Sequence, residues 1–114
     1  MTKPAPVVAV GPAEAAHLAD ARQALLLDVR EDGEWSSGHA PQATHIALGD
    51  LDPTTVPQDR PVIAVCRSGN RSGQAAQALA AAGADVRNLA GGMNAWAAAG
   101  LPVVRADGLP GEIA

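Results

Sequence analysis

Val62-Ile63-Ala64-Val65 carries no polar side chain on either face. A strand of this kind has nothing to offer water, so it must lie inside a sheet that is covered above and below. Such burial is characteristic of parallel strands, whose crossovers are long enough to hold helices. The rest of the chain supplies matching pieces. Val7 to Val10 predicts a first strand ended by Gly11-Pro12, and Leu25 to Val29 predicts a second with Asp28 near its end. Thr44 to Leu48 and Val86 to Leu89 read as two further short strands. Ala13 to Ala24, Arg30 to Trp35, Gln74 to Ala82 and Met93 to Ala99 read as helices between or after them. Gly49 to Pro61 is acidic and rich in proline, which predicts loop with at most one helical turn. Alternating strands and helices of this size define an α/β fold, a mainly parallel sheet with helices on both faces. Its ligand crevice is expected at the carboxyl ends of the strands.

Composition removes several function classes. A chain of 114 residues with 47% hydrophobic and 18% charged residues is one globular domain, expected to need no disulfide or metal. No apolar run approaches the roughly 20 residues of a membrane span, and the first 20 residues lack a secretory apolar core. A net charge of −4 gives no basic field for a nucleic-acid backbone. Phe and Tyr are absent, so base-stacking platforms are missing too. The core must use Val, Leu, Ile, the 26 alanines, and Trp35 and Trp96 as its large anchors. One cysteine makes no internal disulfide, and three histidines beside it show no zinc spacing. The expectation is a small soluble cytoplasmic domain without metal or cofactor.

The chemistry concentrates where the most apolar strand ends. Cys66 would be delivered to the sheet's carboxyl edge, followed by Arg67, Ser68, Gly69, Asn70, Arg71 and Ser72. Gly69 permits positive φ and Asn70 tolerates it, so backbone N–H groups can turn inward around the sulfur. A following helix adds its free N-terminal amides and the positive end of its dipole, with Ser72 suited to cap it. Two flanking arginines add positive charge. All these terms favour a thiolate, which predicts a lowered Cys66 pKa. An inert buried cysteine gives arginines little reason to crowd it, whereas a reactive one does.

These residues belong to a wider pattern. Leu27-Asp28-Val29-Arg30, Gly38-His39-Ala40-Pro41-Gln42-Ala43, the Cys66 loop, and Gly91-Gly92-Met93-Asn94-Ala95-Trp96 occur in an order and spacing that resembles a single-domain rhodanese, a thiosulfate sulfurtransferase-type protein. The resemblance covers residues 5–104 and leaves 105–114 as an irregular tail. It departs at Gln42, where a glycine is usual, and where alanines replace bulky core residues. It implies a five-stranded parallel sheet and a catalytic Cys66 in a loop from Cys66 to Arg71. It further implies that the Cys66 thiolate takes the outer sulfur of a donor such as thiosulfate. The resulting persulfide would pass that sulfur to a thiol, to cyanide, or to a sulfur-accepting protein. The residues from Arg67 to Ser72 would bind the donor.

Two rivals follow from the same loop. A carrier in a protein sulfur relay would share the persulfide and show little free-standing activity. A cysteine phosphatase or arsenate reductase would need an arginine six positions after the cysteine, and Ser72 stands there instead, with Arg71 one residue early. Elsewhere, Asp28 and Arg30 read as an ion pair bracing the Cys66 loop from beneath. His39 and His45 read as structural, His17 as solvent-facing, and Gly91-Gly92 as a turn.

Overall fold

The computed structural model describes residues 7–114, so the domain start expected at residue 5 and the first part of the terminus read as leaderless lie outside the described residues. Five strands and four helices alternate: β1 (Val8–Val10), α1 (Pro12–Asp20), β2 (Leu25–Asp28), α2 (Asp32–Ser37), β3 (Thr44–His45), β4 (Val62–Val65), α3 (Asn70–Ala81), β5 (Val86–Leu89) and α4 (Gly92–Ala98). The strands form one sheet in the order β1-β5-β4-β2-β3, and every pair is parallel. β4 lies at its centre, fully buried along its length, as a run without polar side chains requires.

Alternation along the strands divides the core into two layers. Leu26, Ile63, Val65 and Leu89 face α1 and α4, where Ala15, Ala16, Met93 and Trp96 close over them. Leu27, Val62, Ala64 and Val86 face the other way, against Ala75, Ala76 and Leu79 of α3. Trp96 is fully buried and its indole N–H donates to the Pro102 carbonyl at 2.9 Å, so the tail is fastened to α4. Val104 exchanges backbone hydrogen bonds of 2.9 Å with His39, and Glu112 donates to Ser37, which ties residues beyond α4 to the end of α2.

Several boundaries differ from the sequence expectation for identifiable reasons. α1 stops at Asp20, short of Ala24, because Arg22 adopts a φ of +57° that no helix continues. β3 keeps only Thr44–His45 before the chain turns into single 3-10 turns at Leu48–Asp50 and Pro53–Thr55. α3 begins at Asn70 instead of Gln74, since Gly69 at φ +108° makes the bend that starts it. Trp35 is only half-buried. It stacks on His39 at 3.6 Å and His45 at 4.9 Å between ring centroids, so Trp96 alone is a large core anchor.

Candidate active site

β4 ends at Val65 and places Cys66 at the carboxyl edge with 1% of its surface exposed. The chain then bends through Gly69, and the Gly69 amide donates to Cys66 Sγ at 3.0 Å. Ser72 occupies the first turn of α3. It does not cap the helix, since Gly69 holds that position and no side chain caps it. From that first turn, the Ser72 hydroxyl is buried and reaches back to Sγ at 3.3 Å. Burial pushes the Cys66 thiol up. Hydrogen bonds from the Ser72 hydroxyl and from the amides of Ser72, Gly69 and Ser68 outweigh it, so the thiol lies below its ordinary range.

The inward amides depend on where the loop's carbonyls go. Met93 N donates to the Cys66 carbonyl at 2.7 Å and Asn94 N to the Arg67 carbonyl at 3.0 Å, so α4's first amides hold both. Gly92 permits this approach. A Cβ there would stand 2.4 Å from the Cys66 carbonyl oxygen, and its φ of +58° also disfavours any side chain. The Gly91-Gly92 turn expected from sequence is therefore a clamp on the cysteine loop as well.

The two loop arginines are not equivalent. Arg71 Nη2 donates to Glu34 Oε2 at 2.7 Å, and its Nη1 donates to Oε1 of the same carboxylate. The Glu34 carboxyl is held down to about 2, first by the Arg71 hydrogen bond, against a smaller cost of burial, and then by the Glu31 amide. The Arg71 guanidinium is raised in turn, chiefly by the same hydrogen bond. Arg67 is exposed and forms no ion pair among the described residues. Ser68 and Asn70 are exposed beside it.

Beneath the edge, Arg30 and Asp28 form a fully buried pair, Nη2 to Oδ2 at 2.8 Å and Nε to Oδ1 at 3.0 Å. Arg30 Nη2 also donates to the Gly38 carbonyl at 2.8 Å, so the pair braces the end of α2 and not the cysteine loop. His39 Nδ1 lies 2.7 Å from the Trp35 carbonyl and His45 Nε2 2.7 Å from that of Arg30, both structural contacts. His17 is exposed on α1. Among the described residues no group of three His, Cys, Asp or Glu side chains is placed to hold a metal ion, and no helix is long and apolar enough to cross a membrane.

Two contributors escape a reading by sequence. Glu34 lies 37 positions before the arginine it binds. Asn88 lies on β5, where its Nδ2 donates to the Gly69 carbonyl at 3.2 Å and its Oδ1 meets the Ser72 hydroxyl. The signal for Asn88 was its type, since Asn is depleted from strands and stands here inside Val-Arg-Asn-Leu. The signal for Glu34 was Glu31-x-x-Glu34, a reciprocal cap that starts α2 and sets the carboxylate at the cysteine loop.

A covered parallel sheet ends its central strand in the chain's single cysteine, whose sulfur accepts from a loop amide and a helix hydroxyl. The chain belongs to the rhodanese-like domain family, which it matches over residues 11–99. It is 40% identical over 94 residues to a protein named sulfurtransferase from Allochromatium vinosum, covering 80% of this chain and 88% of that one. It is 36% identical over 106 residues to an uncharacterized Synechocystis protein, covering 90% of this chain and 59% of that longer relative. A crystal structure of a rhodanese-related protein from Thermoplasma volcanium superposes with a TM-score of 0.78 at 26% identity, covering 85% of this chain and 97% of the other. The five-stranded parallel α/β architecture is that of the family. Family membership and a relative with that name support sulfur transfer as the general chemistry.

Proposed function

We propose that the chain is a sulfurtransferase that moves a sulfane sulfur from thiosulfate, or a similar anionic donor, to a thiophilic acceptor through a persulfide on Cys66. The observation that carries this reading is the pair of donors aimed at one sulfur, Gly69 N at 3.0 Å and Ser72 Oγ at 3.3 Å. They hold an anion at Sγ without a general base, and the lowered thiol supplies the nucleophile. In the loading step Sγ attacks the outer sulfur of thiosulfate, and the S–S bond electrons leave with sulfite. In the unloading step the acceptor attacks that sulfur, and the Sγ–S electrons return to Cys66.

Arg67 is the loop cation free to meet a dianion, while Arg71 is occupied by Glu34. Ser68, Gly69, Asn70, Arg71 and Ser72 act through the loop's shape and its amides. Near-complete burial of Cys66 favours donors that present a small terminal sulfur. The arginine at the fifth position after Cys66 leaves a tighter ring than a phosphate requires. A lone low-pKa cysteine suits a reducing compartment, which fits the cytoplasm.

The test is the intact mass of the reduced protein after thiosulfate, beside Cys66→Ser. Gain of one sulfur atom, reversed by cyanide and absent from the variant, is expected. A gain retained in Cys66→Ser overturns the mechanism. No gain from thiosulfate moves the reading to a carrier loaded by a partner protein.

A further inference from the structure

The Ser72 hydroxyl has one proton and three acceptors within reach: Cys66 Sγ at 3.3 Å, the Gly69 carbonyl at 3.2 Å and Asn88 Oδ1 at 2.5 Å. The Gly69 carbonyl is already served, by Gly73 N at 3.1 Å and Asn88 Nδ2 at 3.2 Å. The contest is therefore between Cys66 and Asn88. Asn88 cannot end it by turning its amide, because a flip would set Oδ1 against the Gly69 carbonyl.

We propose that Ser72 and Asn88 form a two-position hydrogen-bond switch, in which Asn88 Oδ1 holds the Ser72 proton while Sγ is uncharged and yields it when Sγ becomes an anion. The role in catalysis rests on the sulfur-transfer reading. During loading, Sγ gives its electron pair to the new Sγ–S bond while the donor's S–S bond breaks and its electrons leave with sulfite. Sγ thereby loses its charge, and the persulfide's charge lies on the outer sulfur. Sγ is then a divalent sulfur, a weak acceptor, and the Ser72 hydroxyl returns to Asn88. During unloading, the Sγ–S bond breaks with its electron pair going to Sγ, and the hydroxyl turns back to meet it. The proton stays on Ser72 throughout. The hydrogen bond thus strengthens as charge develops on the leaving sulfur, the condition for helping a transition state more than the state before it. Asn88 is a positioning residue acting through Ser72. By competing for the proton it makes the free thiolate less favourable relative to both the thiol and the loaded persulfide.

The charges around Cys66 are few. Its own loop supplies Arg67, α3 supplies Arg71 with its Glu34 partner from α2, and β2 ends in the closed Asp28–Arg30 pair. β5 presents the uncharged Asn88 and α4 has no acidic or basic residue in its end turns. None of these charges is removed when Ser72 or Asn88 is replaced.

The experiment is the rate of Cys66 alkylation by iodoacetamide against pH, on the full chain, for the wild type, Ser72→Ala, Asn88→Ala and the double variant. Asn88→Ala frees the Ser72 proton for Sγ, so alkylation below the midpoint pH rises about three- to tenfold, the worth of one hydrogen bond. Ser72→Ala moves the midpoint up. With Ser72 absent, Asn88→Ala has no further effect. Equal shifts from Asn88→Ala with and without Ser72, or a shift upward, overturn the switch. Asn88→Leu, closer in volume, gives the same readout should Asn88→Ala fail to fold. Alkylation needs no sulfur donor, so coupling supports the switch whether or not thiosulfate loads Cys66. Additive shifts overturn it even where loading proceeds.

Discussion

Two arginine–carboxylate pairs hold the same short helix, α2, and differ in how much water reaches them. Arg30 and Asp28 are both 0% exposed, and Arg30 also donates to the carbonyls of Gly38 and Glu34. Arg71 and Glu34 keep 33% and 19% of their side chains in water, with the arginine in the cysteine loop. The buried pair has no alternative partner, so each member depends on the other and on the backbone around it. The pair at the rim can exchange its contacts for water at little cost. Burial, then, makes the first pair part of the fold. Partial exposure lets the second set the charge beside Cys66: Glu34 largely neutralises Arg71 and leaves Arg67 as the free cation of the loop.

The largest way to break this comparison is to remove one arginine from each pair. Arg30→Ala leaves Asp28 buried without a counterion and orphans the Gly38 carbonyl, for an expected loss of about 3–5 kcal/mol. Against a domain stability of roughly 5–15 kcal/mol, that approaches unfolding. Arg71→Ala should cost about 1 kcal/mol or less, because its partner is left in contact with water. Urea unfolding of both variants measures the difference. Equal losses would mean that burial does not separate the two pairs.

The same contrast explains what was legible in the sequence. β4 falls at Val62–Val65 as read, because a run of apolar residues states its own burial, and β5 at Val86–Leu89 as read, with only its apolar end residues buried. The cysteine loop was equally open, since Cys66, Gly69, Ser72 and both arginines lie within seven consecutive positions. Contacts between elements were not. Arg71 reads as a free anion ligand until α2 brings Glu34 to it, and Ser72 reads as a cap until Gly69 starts the helix early and turns the hydroxyl back toward Cys66. Local pattern supplies types and periods, whereas pairings across 16 or 37 residues need the topology. The end of α1 was hidden for another reason: the alanine-rich stretch carries no stop signal, and the turn at Arg22 breaks a residue's usual preference.

Acid sharpens the comparison at smaller scale. The Glu34 carboxyl is lowered from 4.5 to about 2 in the folded protein, so between those values the unfolded chain binds more protons than the folded one. Its stabilisation is complete above pH 4.5 and is lost as pH falls toward 2. Partial exposure limits the effect to about 1 kcal/mol. Asp52 and Asp107 are lowered too, by the Thr54 hydroxyl and by Arg105 respectively, and add their own acid dependence. The difference between wild type and Glu34→Gln therefore isolates this pair. Stability against pH should fall less steeply below 4.5 in the variant, and parallel curves would show that Arg71 does not depend on Glu34.

The smallest expected effect concerns Arg67, the loop cation without a carboxylate. An exposed guanidinium contributes to binding a dianion through a screened charge, about 1 kcal/mol, or roughly a fivefold change in KM. Arg67→Ala should raise the KM for thiosulfate by about that factor while leaving the unfolding midpoint in place. Its second signature is the slope of rate against ionic strength. Steering by a free cation weakens as salt shortens the Debye length, so the wild type should lose kcat/KM with added salt faster than the variant. Arg71 already has its counterion in Glu34, so Arg71→Ala should change that slope less than Arg67→Ala does. Equal slopes in both variants would put the two arginines on the same footing despite their different partners. An unchanged KM and slope for Arg67→Ala would leave the inward amides of the loop as the whole of the anion's binding.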